Sequence, residues 1–237
     1  MTSNLAERSA LVIGAGGLGG PALLTLAAAG VGRLVLVDGD AVDTSNLNRQ
    51  PLFVEADVGA RKAPAAARWL ARRFPGLRVE PVDGRFDERT GPELARSVDL
   101  VLDGSDNFPT KFAANDVAVA AGKPLVHGGV LRFTAQLLTV VPGTTGCLRC
   151  LFEAPPPPDA VPSCAAAGVL GPLAGFAGAL MGAEAVRLLA GERGSYAGRL
   201  MVFEARSARS RTVPVRRREG CAACGAVTGA SASEAQA

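Results

Sequence analysis

The stretch from Ser9 to Asp38 constrains this chain most, because it orders strand, glycine turn, helix, strand and terminal acid without interruption. Ala10-Leu11-Val12-Ile13 is an apolar run of the length expected for a buried strand. It enters Gly14-Ala15-Gly16-Gly17-Leu18-Gly19, and Pro21 to Ala29 then reads as a helix ended by Gly30. Arg33 to Asp38 supplies the second strand. Gly14, Gly16 and Gly19, with Gly17 among them, have the spacing of a turn whose bare N–H groups meet an anion at a helix N-terminus. Asp38 falls where an acid takes a ribose hydroxyl. Together these parts predict a nucleotide site; a tight turn without a ligand is the plainer alternative.

Downstream the pattern keeps alternating. Val58 to Phe74 is helical, with Trp69 on its inner face and Pro75-Gly76 as its stop; Leu77 to Val82 is a strand and Gly91 to Ser97 a short helix. Val98 to Asp103 is a buried strand ending in acid, Pro109 to Ala121 a helix with proline at its start, and Lys123 to His127 the next strand. Strand–helix alternation predicts a parallel sheet. Phe133 to Val141 has strand formers and no preceding helix, which predicts a change to antiparallel pairing. An irregular proline-rich stretch, Cys147 to Pro162, precedes a helix over Ala165 to Leu189; Leu200 to Ala205 and Thr212 to Arg217 form a late strand pair. Residues 1–225 read as one domain and Val227 to Ala237 as a disordered tail.

With 237 residues, 48% hydrophobic and 20% charged, the chain can bury an adequate core, and a net charge of +3 is too small to imply a polyanionic partner by itself. The first residues lack the pattern of a secretory signal, so a cytoplasmic location is expected. Cys164 to Ala183 is uncharged and about long enough to span a bilayer. It is mostly Ala and Gly with Pro172 inside, so a buried or interface helix is expected instead of a membrane span.

The chain has five cysteines, and four form two C-x-x-C pairs, Cys147/Cys150 and Cys221/Cys224. Two such pairs suit a tetrahedral structural zinc, which would pin the C-terminal end to the loop after the sheet. Disulfides and a thioredoxin-type redox pair are the alternatives. Cys164, ahead of a helix, would have its thiolate favoured by the helix dipole; burial as a small apolar residue is the other reading.

Asp38, Asn46, Arg49, Lys62 and Asp106 supply a ribose acceptor, an amide, two cations and a metal ligand, a set suited to a nucleoside triphosphate with magnesium. Singly each has a plainer role: Lys62 as a solvated charge, Arg49 paired with a loop carboxylate, Asp103 and Asp106 as helix caps. His127, the only histidine, reads as a core or supporting residue.

Several motifs now stand in order: Gly14-Ala15-Gly16-Gly17-Leu18-Gly19, Asp38-Gly39-Asp40, Ser45-Asn46-Leu47-Asn48-Arg49-Gln50, Val58-Gly59-x-x-Lys62, Leu102-Asp103-Gly104-Ser105-Asp106-Asn107, both C-x-x-C pairs and Cys164-x-x-Ala167-Gly168-Val169. From Ser9 to Gly225 they resemble the ThiF/MoeB/HesA group of ubiquitin-like-protein activating enzymes. The resemblance implies a homodimeric, zinc-stabilised, Rossmann-like α/β enzyme, its mostly parallel sheet continued by antiparallel strands. It implies use of MgATP to adenylate the C-terminal Gly-Gly carboxylate of a ubiquitin-like sulfur carrier. By motif, Asp38 would hold the ribose, Asn46 and Arg49 the phosphate region, Lys62 the triphosphate and Asp106 the magnesium, with Asp40 and Asn107 also among the cofactor-binding residues; Cys164 matches a loop cysteine used by some members.

There is one departure. Members usually begin with a helix whose arginine reaches the partner's ATP site, whereas here the first strand starts about nine residues in, with Arg8 too close to reach across. Slow activation, a borrowed arginine or a non-catalytic carrier-binding scaffold are the expectations that follow. No rhodanese-like domain follows Gly225, so the sulfur donor is expected in trans. Two rivals stay open: a tRNA threonylcarbamoyladenosine dehydratase using arginines 206, 209, 211 and 216 to 218 as a phosphate patch, and an NAD-dependent oxidoreductase, which would leave Arg49, Lys62 and the cysteine pairs without purpose.

Overall fold

A computed structural model describes residues 4–157, 160 and 167–227. Its strands are β1 (Ser9–Ile13), β2 (Arg33–Asp38), β3 (Arg78–Asp83), β4 (Leu100–Asp103), β5 (Leu125–Leu131), β6 (Thr134–Val140), β7 (Arg199–Glu204) and β8 (Arg209–Pro214). They form one eight-stranded sheet in the order β3-β2-β1-β4-β5-β6-β7-β8. Pairing is parallel from β3 to β5 and antiparallel from β5 to β8, so the predicted α/β class and the change of direction at β6 both hold. The helices are α1 (Gly19–Ala28), α2 (Lys62–Arg73), α3 (Gly91–Arg96), α4 (Phe108–Ala120), the single turn α5 (Leu148–Leu151) and α6 (Gly171–Leu189).

The pleat of the strands divides the core. Ala10, Val12, Leu34, Leu36 and Leu102 face one side, where α1, α2 and α6 cover them. Leu11, Ile13, Val35, Val37 and Val101 face the other, under α3 and α4. Burial on both faces explains why these strands read as continuous apolar runs. Trp69 is half-buried against the first of these cores.

Boundaries moved where tertiary pairing overrides local pattern. Helix α2 begins at Lys62 instead of Val58, because residues 59–62 pair with 40–42: Gly59 N donates to Val42 O at 2.9 Å, Val42 N to Ala60 O at 2.8 Å and Lys62 N to Asp40 O at 2.9 Å. Helix α6 begins at Gly171 with Pro172 in its first turn, not at Ala165; Val169 is held extended by a bridge to Arg132. Strand β8 starts at Arg209, earlier than predicted, because the register with β7 runs on to the turn.

Helix α6 has the length and apolarity of a membrane span, with mean hydropathy 1.2, yet half of it is buried in the fold. It crosses α1 closely: a Cβ on Gly178 would sit 2.2 Å from Leu18 O. Glu184 on α6 is 2% exposed and accepts three hydrogen bonds, from Thr139 Oγ1 at 2.8 Å, Ser195 N at 2.9 Å and Tyr196 N at 2.8 Å. Glu184→Ala would leave those donors without an acceptor. The expected loss is about 3 kcal/mol of stability and roughly 6–12 °C in Tm, read by thermal and urea denaturation; a change within error would refute that account.

Candidate active site at the carboxyl ends of the strands

β1, β2 and β4 end along one edge, and the strand order reverses between β1 and β4, the position where open α/β sheets take ligands. There lies a cleft of about 1140 Å³, lined by Gly14, Gly16, Gly17, Asp38, Asp40, Arg49, Lys62, Asp106 and Asn107 among others. Most predicted site residues are thus brought together. Gly19 lies behind the lining, packed on the turn: a Cβ there would fall 1.7 Å from Gly14 O, so glycine is required for the helix to start so close to the strand. Asn46 is also absent from the lining; it ends a 3-10 turn, Thr44–Asn46, with its amide 3.3 Å from Ser45 Oγ. Cys164 lies outside the described residues.

Asp38 closes β2 and is 8% exposed. Its Oδ2 accepts from Ala15 N at 2.7 Å and its Oδ1 from Asp40 N at 2.9 Å. Burial raises its pKa, an effect reduced by those two N–H groups and by Lys62. The acid therefore fixes the glycine turn as well as facing the cleft.

Lys62 is buried and opens α2. A cation at a helix N-terminus is disfavoured by the macrodipole, and burial adds a desolvation cost. Asp40 answers part of this, with Oδ2 3.2 Å from Nζ. Two positive sources, the ammonium and the first N–H groups of α2, thus occur together at a wall of the cleft. Among the described residues Arg49 pairs with no carboxylate; its Nη1 donates to Ser45 O at 2.9 Å and Asn48 Oδ1 at 3.0 Å.

The turn after β4 carries Asp106, which is exposed in the cleft and makes no hydrogen bond or ion pair with the described residues. Magnesium binds through one or two carboxylates plus phosphate oxygens, so an open acid in a cleft with two cations fits that role. Asn107, not Asp103 or Asp106, caps α4, its Oδ1 accepting from Thr110 N at 2.9 Å.

Sequence reasoning missed other lining residues. Arg85, Phe86 and Arg89 come from the loop after β3; only the parallel placement of β3 beside β2 brings that loop to the cleft. Gln50 is 5% exposed and lines the cleft, and its Oε1 has no partner among the described residues. It sits in the quoted Ser45–Gln50 motif, but only the unpaired buried amide singles it out.

The four cysteines of the C-x-x-C pairs gather beside α4, all Sγ atoms within 4.8 Å of one another. Cys147 Sγ is 4.0 Å from Cys150 Sγ and 3.7 Å from Cys221 Sγ, and Cys150 Sγ is 3.4 Å from Cys224 Sγ. These exceed a disulfide length of about 2.05 Å and match the edges, about 3.8 Å, of a tetrahedron with metal–sulfur distances of about 2.3 Å. The cluster could hold a metal ion. It is docked on α4 by Asn115 Oδ1, which accepts from Leu148 N at 2.9 Å, and by Asp116, 2.7 Å from Arg149 Nη2.

The arginines considered for an RNA patch are partly engaged elsewhere. Arg206 stacks over Phe133 at 4.1 Å, Arg217 donates to Gly143 O, Cys224 O and Val227 O, and Arg218 pairs with Glu153.

The ThiF family model matches residues 2–223. The chain belongs to the ThiF family. Similar ThiF relatives include the SAMP-activating enzyme E1 of Haloferax volcanii, 46% identical over 91% of this chain and 79% of that protein. The sulfur carrier protein adenylyltransferase of Thermus thermophilus is 46% identical over 93% of this chain and 83% of its own length. Among solved structures, E. coli MccB with MccA-N7isoAsn superposes with a TM-score of 0.83 at 22% identity, over 94% of this chain and 68% of that one, a likeness of fold.

Proposed function

We propose that this chain is an ATP-dependent adenylyltransferase acting on the C-terminal glycine carboxylate of a ubiquitin-like sulfur carrier ending in Gly-Gly. The observation that carries this reading is buried Lys62 at the N-terminus of α2, facing a cleft that also holds Asp38, Arg49 and Asp106. Support comes from the names of the two relatives at 46% identity.

In the proposed reaction a carboxylate oxygen of the carrier attacks the α-phosphorus of ATP. A new C(=O)–O–P bond forms, the bond to the bridging oxygen breaks, and pyrophosphate leaves with that electron pair. The obstacle is repulsion between two anions, so cations fixed in advance supply the main stabilisation. Lys62 and Arg49 draw charge from the phosphates. Asp38 orients the ribose. Asp106 would hold magnesium, which would supply Lewis-acid stabilisation of the developing negative charge. The resulting acyl adenylate has a good leaving group and is open to a sulfur donor protein. Zinc on Cys147, Cys150, Cys221 and Cys224 is structural, and the enzyme works in the cytoplasm as a homodimer.

The test is ATP/pyrophosphate exchange with purified carriers. Exchange should require both carrier and its terminal Gly-Gly, and deleting that dipeptide should abolish it. Nucleotide binding without any exchange or AMP–carrier formation, across plausible carriers, would favour the scaffold reading instead.

A further inference from the structure

Asp103 is a fully buried acid at the end of β4 that the proposed chemistry does not use. Its Oδ1 accepts from Ser105 N at 3.0 Å and from Ser105 Oγ at 2.5 Å. Its Oδ2 lies 3.2 Å from Lys111 Nζ on α4 and 2.8 Å from His127 Nδ1 on β5. Lys111 Nζ donates onward to Gly128 O at 2.6 Å. Asp103 and His127 are also register partners across β4 and β5. One carboxylate therefore joins two strands, a helix and the turn that presents Asp106.

We infer that Asp103, Lys111 and His127 form a positioning network that fixes the Gly104–Asp106 turn so that the Asp106 carboxylate meets the metal of bound MgATP. This rests on the reading that Asp106 is the magnesium ligand.

Stability alone is a poor reason for such a group. Burying an ion pair costs several kcal/mol per ion, roughly, before attraction is counted, and apolar replacements are often neutral or better. Burial raises the Asp103 pKa, but Lys111 and then His127 more than reverse it, so the acid stays ionised. Burial and the neighbouring ammonium lower the His127 pKa, so the ring is neutral and Lys111 is the counter-charge. The geometry explains the arrangement better. The turn is held at both ends, by Gly104 N donating to Ile13 O at 2.9 Å and by the Asn107 cap on Thr110, while Ser105 between them is tied to Asp103 twice. The Asp106 side chain, bound to none of the described residues, projects into the cleft between Ser105 and Asn107. Partners that orient a metal-binding carboxylate change metal affinity by about 10-fold to 100-fold when removed.

The experiment measures ATP binding by calorimetry across a magnesium titration, and alongside it the magnesium requirement for carrier-dependent exchange, in Lys111→Met, Lys111→Arg, Ser105→Ala and Asp106→Asn. Lys111→Met should raise the half-saturating magnesium concentration by about 10-fold or more, with magnesium-free ATP binding unchanged. Lys111→Arg should restore most of the loss. Ser105→Ala, which keeps every charge, should shift it in the same direction and serves if Lys111→Met does not fold. A normal magnesium requirement in the folded variants, or equal loss of magnesium-free ATP binding, overturns the inference. An unchanged requirement in Asp106→Asn overturns the underlying reading; a raised one there, with Lys111→Met and Ser105→Ala normal, overturns the network alone.

Discussion

Lys62→Met is expected to lower carrier-dependent ATP/pyrophosphate exchange by about 1,000-fold. The effect is electrostatic. Unit charges about 4 Å apart interact by roughly 4 kcal/mol at an effective dielectric constant near 20. The N–H groups at the start of α2 remain in the variant, but a helix terminus contributes only about 0.3–1 kcal/mol at ordinary exposure. The ammonium therefore dominates. The variant also leaves Asp40 unneutralised, since its Oδ2 stands 3.2 Å from Nζ in the native chain. An anion would then face the triphosphate. Lys62→Met with Asp40→Asn should for that reason bind ATP better than Lys62→Met alone without recovering exchange, a double-mutant cycle that separates repulsion from lost stabilisation. Exchange within about 3-fold of the native rate, far below the effect expected for such a cation, would end the assignment of Lys62 to the triphosphate.

The second large effect concerns the cysteine cluster. Metal removal by a strong chelator, or Cys221→Ser, is expected to release stoichiometric zinc and to unfold the C-terminal region. Structural zinc binding is worth about 10–16 kcal/mol in zinc-finger peptides, comparable with the whole stability of a domain, about 5–15 kcal/mol. Here the ligands come from segments roughly 70 residues apart, so the ion closes a loop that the chain would otherwise close at an entropic cost. Cys147, Cys221 and Cys224 are themselves buried against Leu138, Val140 and Val215, so loss of the ion should loosen that corner of the core too. Metal analysis, thiol titration before and after chelation, and thermal denaturation read the effect. A metal-free protein of native stability would remove zinc from the account.

Which parts were legible follows from how local their causes are. Strands β1, β2 and β4 were readable because both faces are covered and Ala10–Ile13, Leu34–Val37 and Leu100–Leu102 are all buried apolar residues. The glycine turn was readable because its constraint lies within six residues, from Gly14 to Gly19. Lys62 and Asp106 were reached through motifs, and the sheet order explains why segments so far apart meet at one edge. The start of α2 was misplaced because residues 59–62 obey a ladder with 40–42, which no helical pattern reveals. Lys111 was invisible for a related reason: a lysine on a helix looks solvated until Asp103 and Gly128 are known to lie beneath it. Arg85 and Arg89 belong to a polar loop with no motif, and only the position of β3 gives them relevance. Asn46, by contrast, was named by motif and stands away from the cleft lining.

The outermost strand, β8, pairs only with β7 among the described residues, and all six of its residues are exposed. Such a rim is an open template onto which another chain could add a strand. Arg209 and Arg211 share one face of it, and Pro214 ends it without an N–H to offer. Two copies approaching rim to rim would bring like guanidinium charges together and find a missing donor at the end of the row. The sheet can therefore stay unfinished on this flank and the molecule still resist stacking into fibres.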